Sequence, residues 1–320
     1  MEYQQKLVGI IRNKIRKNDS LTDVIATVLN ISYDAAHRRI AAKSKFSMEE
    51  AIQLCLHFGI SMDSLFSGPD KVVAERTKEI RTMDEMALYM ADSAERLSAF
   101  QNNTNARMYY SAKDIPLFHT IGGTLLSKFK LYVWINLLTG AQHEKPFEKF
   151  TVATTLLEQS AKLKSVYENV EVHEIWNDTT INSTLQQVYY YFQAGLLSAE
   201  NAKYIYSDLQ DIMNKVEERC CNERSRYRLY YNELLILNNN VLLTAPEKQS
   251  LFVPYTMLGY FITSDEATCT NARDFFVQQV KSSKSLNDSG LRDRKLFFNK
   301  ARQRVTLYIG KLEQDMVLDL

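Results

Sequence analysis

Between Tyr33 and Ile40 the side chains able to do chemistry fall on one side of a helical repeat. Ala36 and Ile40 stand one turn apart and are expected to face inward. Asp34 and Arg38 then lie roughly opposite them, with Tyr33 and His37 on one flank. A carboxylate and a guanidinium four residues apart can pair along the helix, which is worth roughly 0.2–0.5 kcal/mol. The same groups can instead address a partner. A guanidinium forks onto guanine O6 and N7, and a carboxylate accepts from cytosine N4. For Arg38 the outward role is the stronger reading; for Asp34 both readings stand.

Groups able to hold phosphates surround this stretch. Lys43 and Lys45 follow it, and Thr22 opens the preceding segment. Residues 1–45 carry nine basic side chains against four acidic ones, an excess of +5, although some of Arg12 to Lys17 are expected to form an ordinary solvated face. Across the whole chain 39 basic residues meet 38 acidic ones, and the net charge of +1 hides the local excess.

The rest of the sequence offers little chemistry. No nucleophile elbow, zinc-protease signature, phosphate loop or dinucleotide fingerprint occurs, so no enzyme is expected. His37, His57, His119, His143 and His173 are scattered without ligand spacing, so neither a metal site nor a cofactor is expected. Cys220-Cys221 reads as helix packing before redox sensing. Asp114-Ile115-Pro116 and Asn232-Glu233 sit among aromatics, either as core boundary or as pocket lining. Four cysteines form no disulfide framework, and the N-terminus lacks an export signal. Both point to the cytoplasm. The most apolar stretch, Leu117 to Leu138, is interrupted by His119, Lys128 and Lys130, which predicts a buried helix and no membrane contact.

Short elements position the 33–40 face. Leu21, Ile25 and Leu29 make a one-faced helix, which Asn30-Ile31-Ser32 breaks. Asn tolerates the left-handed backbone of a tight turn, and Ser32 suits the N-cap of the next helix, Tyr33 to about Ala42. Ser47-Met48-Glu49-Glu50 is a capping box that opens a helix to Phe58. Gly59 closes that helix, and Ser61 to Leu65 starts a fifth. Two short helices joined by a three-residue turn form a helix-turn-helix unit.

At this point the chain resembles the lambda-repressor/Cro-like family. The matching residues are Ile25-Ala26, Leu29-Asn30-Ile31-Ser32, Ser47-Met48-Glu49-Glu50, Leu54 and His57 through Leu65, with Asn30 where that family usually has Gly. His37-Arg38-Arg39-Ile40 is similar to a variant in which an Arg-Arg pair precedes the apolar residue. The resemblance implies that the second helix enters the major groove of double-stranded DNA, with base contacts from Tyr33, Asp34, His37 and Arg38. With the flanking groups, the expected DNA-binding set is Thr22, Ser32, Tyr33, Asp34, His37, Arg38, Lys43 and Lys45.

Beyond the turn cluster Ser67-Gly68-Pro69-Asp70, one long helix is expected from Lys71 to about Asn103. Its Ile80, Met83, Ala87, Met90, Ala94 and Leu97 follow a three-and-four spacing. That suits either a short intermolecular coiled coil or packing on the helix's own C-terminal domain. Helical periodicity continues over 117–138, 146–167, 180–194, 199–219, 265–281 and 291–314. Arg228 to Leu237, Val241 to Thr244 and Leu251 to Ile262 read as strands of a small antiparallel sheet. The segments Ala112–His119 and Arg294–Phe298 resemble phrases in the helical sensory regions of uncharacterised Bacteroidetes-type regulators, a resemblance that brings no ligand.

The expected fold is therefore mostly α: a five-helix head over 1–68, a linking and dimerisation helix over 69–103, and a mostly helical regulatory domain over 104–320. The expected function is that of a homodimeric DNA-binding transcription regulator answering to a small-molecule or peptide effector. The rival from another class is a protein-interaction adaptor that keeps the head only as a fold. An unrecognised enzyme in 104–320 comes third.

Overall fold

The structure, a computed structural model, describes residues 2–15, 19–66, 71–101, 103, 105–140 and 145–318. The chain divides into two compact units, Met1–Val73 and Ala74–Leu320. The boundary expected at Ser67–Asp70 lies outside the described residues, as do Arg16, Lys17 and His143.

The described residues of the first unit form five helices: α1 (Glu2–Lys14), α2 (Leu21–Leu29), α3 (Tyr33–Ile40), α4 (Met48–Phe58) and α5 (Asp63–Phe66). Ser20, Ser32 and Ser47 cap the second, third and fourth by accepting a backbone N–H with their hydroxyls. Asn30 and Gly59 close α2 and α4 in the left-handed conformation, which Asn and Gly enter at the lowest cost. Leu7, Ile11, Ile25, Leu29, Ala36 and Leu54 form the centre of the core.

The second unit departs from the mostly-α expectation. Its described residues contain one eight-stranded mixed sheet, ordered β1-β7-β6-β5-β2-β3-β4-β8, rather than a small antiparallel sheet beside helices. The strands are β1 (Glu75–Arg76), β2 (Arg107–Ser111), β3 (Glu171–Trp176), β4 (Tyr227–Tyr231), β5 (Val241–Ala245), β6 (Lys248–Pro254), β7 (Tyr260–Thr263) and β8 (Lys284–Ser285). β2, β3 and β4 run parallel, and every other pairing is antiparallel. Parallel neighbours need long crossovers, which the helices supply. Between β2 and β3 lie α7 (Leu117–Thr120), α8 (Leu125–Thr139), the 3-10 turn Phe147–Lys149 and α9 (Thr154–Glu168); between β3 and β4 lie α10 (Asn182–Gln193) and α11 (Ala199–Cys221). α12 (Glu266–Lys281) and α13 (Leu291–Leu318) complete the unit.

Side-chain alternation sorts the strands onto two cores. Met108, Tyr110, Val172, Trp176, Tyr227 and Leu243 face the larger one, with α8 through α11 and α13. Tyr109, Ile175 and Leu242 face a smaller one under Cys269 and Phe276 of α12.

The expected linking helix also differs. Residues 71–82 contain no helix; β1 pairs with β7 there, and α6 begins only at Met83 and ends at Gln101. Ile80, Ala87, Met90, Ala94 and Leu97 are buried in the larger core of their own unit, and Met83 packs against it. The three-and-four spacing is therefore satisfied within the chain. The Leu117–Leu138 stretch is broken by Ile121–Thr124 into α7 and α8. No described helix is long and apolar enough to cross a membrane.

Candidate nucleic-acid interface

Four local devices fix α3 and the turn after it. At its start, Asn30 turns the chain left-handed (φ 51°, ψ 49°), and the Ser32 hydroxyl accepts from Ala35 N–H at 3.3 Å. On its inner side, Ala36 is fully buried and Ile40 packs against the same core. Toward its end, the Arg39 guanidinium forks onto Glu50, with Nε to Oε2 at 3.0 Å and Nη2 to Oε1 at 2.8 Å. Beyond it, Ala42 takes a left-handed φ of 55°, and the Lys43 and Ser44 N–H groups both donate to Arg38 O.

Gln4 of α1 reaches over to hold that turn. Its Nε2 donates to Arg39 O at 2.7 Å and Ser44 O at 2.8 Å, while its Oε1 accepts from Phe46 N–H at 3.2 Å. Gln4 and the Arg39–Glu50 fork were not among the expected functional residues. Glu50 was legible as a capping-box residue; nothing in the spacing marks Gln4.

These constraints leave one face of α3 free. Ser32, Tyr33, Asp34, His37 and Arg38 are exposed, as are Lys43 and Lys45 on the following turn. Thr22 is half-buried on the first turn of α2. The Tyr33 and His37 rings stack with centroids 6.5 Å apart and planes 12° from parallel. Among the described residues, no ion pair engages Asp34 or Arg38, so the internal pairing open at the sequence level is absent.

Not every cation in the N-terminal excess belongs to this surface. Arg39 is spent on Glu50, whose carboxyl is held below its ordinary range. Burial alone would raise it, and the Arg39 bond, the Ser47 N–H and the Arg39 charge outweigh that. Lys14 Nζ donates to Phe58 O at 3.0 Å and Gly59 O at 3.3 Å, closing α4 at its carbonyl end. Of the others, Arg38, Lys43 and Lys45 lie on or just after the outward face of α3 and are exposed.

One expectation about the head is overturned. The apolar residues Leu29, Ile31, Ile40, Ile52, Leu54, Leu56, Phe58, Ile60 and Leu65 are expected to supply its small core, yet Ile52 and Leu56 are 41% and 77% exposed, and with Met48 at 64% they form an apolar stripe along α4. Successive steps of four residues keep all three on one helix face, while the core takes Leu54 and Cys55 instead.

In the second unit, buried polar groups gather at two places. Lys130, 1% exposed, donates from Nζ to Asp114 Oδ2, Thr184 Oγ1 and Gln187 Oε1 at 3.0–3.1 Å. Asp114 is thus tied into that cluster, and Asn232 anchors its loop to Ser282 O and Ser283 Oγ. Glu174 on β3, fully buried, accepts from Tyr167 OH (2.6 Å), Tyr227 OH (2.7 Å) and Trp176 Nε1 (2.9 Å), with His119 Nε2 3.1 and 3.2 Å from its two oxygens. Cys220 is buried, which pushes its thiol up to about 12 and leaves it a packing residue at neutral pH.

Comparison with family models, curated proteins and solved structures found no match to this chain.

Proposed function

We propose that this chain is a sequence-specific DNA-binding transcription regulator that acts in the cytoplasm as a homodimer. α3 enters the major groove, and the second unit supplies dimerisation and effector sensing. One observation carries the reading. α3 is held rigidly from its inner side, while Tyr33, Asp34, His37 and Arg38 face outward with Asp34 and Arg38 unpaired, and Lys43 and Lys45 follow. A short helix presenting an unpaired guanidinium, with two lysines on the turn after it, has the ingredients of base and phosphate contact.

Selection of bound sequences from random duplex DNA by the full chain tests it. Enrichment of an inverted repeat with half-sites about one helical turn apart, roughly 34 Å, is expected. Absence of enrichment at low and moderate salt would remove the function.

The Met48–Ile52–Leu56 stripe favours a second reading, a protein-interaction adaptor whose head docks a partner through α4. The two readings separate on DNA: an adaptor shows no sequence preference, and changes at Arg38 leave its partner binding intact.

A further inference from the structure

A cavity of about 310 Å³ opens in the second unit between α6, residues 76–79 and one face of the sheet. That volume lies at the lower end of small-molecule sites. Its apolar lining includes Leu97, Leu117, Phe118, Leu163, Val241 and Phe252, contributed by five separate elements.

Three phenols converge on the same space: Tyr89 of α6, Tyr110 of β2 and Tyr260 of β7. Burial is the main cause that raises all three, and Tyr260 is pushed up to about 12 despite the bond from Tyr110. They stay neutral at physiological pH; Tyr110 gives its proton to Tyr260, while the Tyr89 and Tyr260 hydroxyls can each donate one hydrogen bond.

The charges of the lining balance. Arg76, Lys78 and Arg96 stand against Glu79, Glu85 and Asp92. Arg96 is paired with Glu75 at 2.9 Å and Glu79 with Arg81 at 2.5 Å. Behind the floor, the Phe118 ring lies flat on Tyr167, 4.4 Å between centroids, and Tyr167 OH donates to the buried Glu174. That carboxylate acts on Tyr110 as well, and it opposes a second negative charge in the cavity. An anion entering would lose its hydration and gain no buried counter-charge.

We infer that this cavity is a binding site for an uncharged aromatic or alicyclic molecule carrying a hydroxyl or carbonyl group. The apolar body fills the space between α6 and the sheet, and the polar group meets the tyrosine hydroxyls. The inference deepens the effector-sensing part of the function proposed above. One wall, Arg76 to Glu79, comes from the first segment of this unit. Thr77 N–H donates to Tyr260 O at 3.0 Å, and Tyr260 N–H donates to Thr77 Oγ1 at 2.9 Å, so one ligand-facing tyrosine also holds that segment.

The experiment titrates the full chain with 1-naphthol, naphthalene and 1-naphthoate, following protein and probe fluorescence in the absence of DNA. Saturable 1:1 binding of 1-naphthol is expected, with 1-naphthoate at least about tenfold weaker. Tyr89→Phe and Tyr260→Phe should weaken 1-naphthol about threefold to tenfold and leave naphthalene unchanged. Ser93→Phe, which extends a half-buried lining residue into the space, should abolish binding of both neutral probes. Leu88→Trp, at a side chain 56% exposed, does the same from the mouth and guards against a variant that misfolds. Binding that survives both filling variants, preference for naphthoate, or no binding of any probe would overturn the inference. Because no DNA is present, such a failure leaves the DNA-binding reading standing, and failed DNA selection leaves the cavity result standing.

Discussion

Arg39 and Glu50 form a two-pronged ion pair that ties α3 to the first turn of α4. Glu50 does double duty, since its Oε2 also accepts from Ser47 N–H at 2.9 Å to complete the capping box. Adjacent arginines therefore have opposite fates: Arg39 is turned inward as a brace, and Arg38 is left facing solvent. The step between consecutive helical residues, about 100°, is what separates them.

Arg39→Ala should therefore behave as a stability change rather than a specificity change. Losing charge-assisted bonds and leaving Glu50 without its partner is expected to cost about 1.5–3 kcal/mol in the first unit, read by urea denaturation. Glu50→Gln should cost a similar amount, and the double variant less than the two singles summed. Additive losses would show that the fork contributes no coupling.

Arg38→Ala should leave stability within about 0.5 kcal/mol, because the side chain is exposed. On the selected operator it should cost about 1–3 kcal/mol of binding and relax preference at one position. Lys43→Ala should instead weaken all sequences alike and lower the slope of log K against log salt by about 1. An Arg38→Ala protein with unchanged affinity and preference would show that the wrong face of α3 has been assigned.

Met90 tests where the apolar spacing of α6 is used. Met90 is fully buried in its own unit, so Met90→Ala should lose about 2–5 kcal/mol of stability. Whatever remains folded should sediment as the unaltered protein does. Loss of association without loss of thermal stability would move this seam to an intermolecular interface. The proposed dimer is predicted to form from residues 69–320 alone, and a monomer on sedimentation of that fragment at micromolar concentration would remove it.

The head was legible because its signals are local. Ser32, Ser47-to-Glu50 and Gly59 mark helix ends within three or four residues, and the caps form as those patterns imply. The inward Ala36 and the outward Arg38 also follow from helical period alone. The sheet was not legible for a physical reason. β2 and β3 are buried on both faces, so Met108-Tyr109-Tyr110 and Ile175-Trp176 show no polar alternation to distinguish a strand from a helix segment. Val241 and Leu251 lie in strands as expected. The strand at Arg228, however, pairs in parallel with β3 and not with β5, a long-range choice that no turn residue encodes. Ile52 and Leu56 were misplaced because hydrophobicity is a one-way guide, and apolar residues also occur at the surface. The cavity depends on the same long-range sheet pairing, which is why Tyr89, Tyr110 and Tyr260 could not be grouped from spacing.

Glu174 offers the last prediction, on pH. Burial by itself would raise this carboxyl. The charge of His119 and the bonds from His119, Tyr167 and Tyr227 outweigh burial and hold it below its ordinary value of 4.5. In the unfolded chain the same group titrates at that ordinary value, so the unfolded state binds the proton first as pH falls. The stability contributed by the ionised form is fully present above 4.5 and is lost as pH falls through the lower folded value. Glu174→Gln removes the titration and turns an acceptor-only group into one with two N–H donors. These would face the Trp176 N–H and the two phenols, and indole nitrogen can only donate. The variant should be less stable by roughly 2–3 kcal/mol at neutral pH, the cost of leaving buried donors unmatched. The gap between parent and variant, measured by denaturant titration at successive pH values, should hold steady above 4.5 and narrow below it. A gap that widens on acidification would mean that folding raises the Glu174 carboxyl above its ordinary value instead of lowering it.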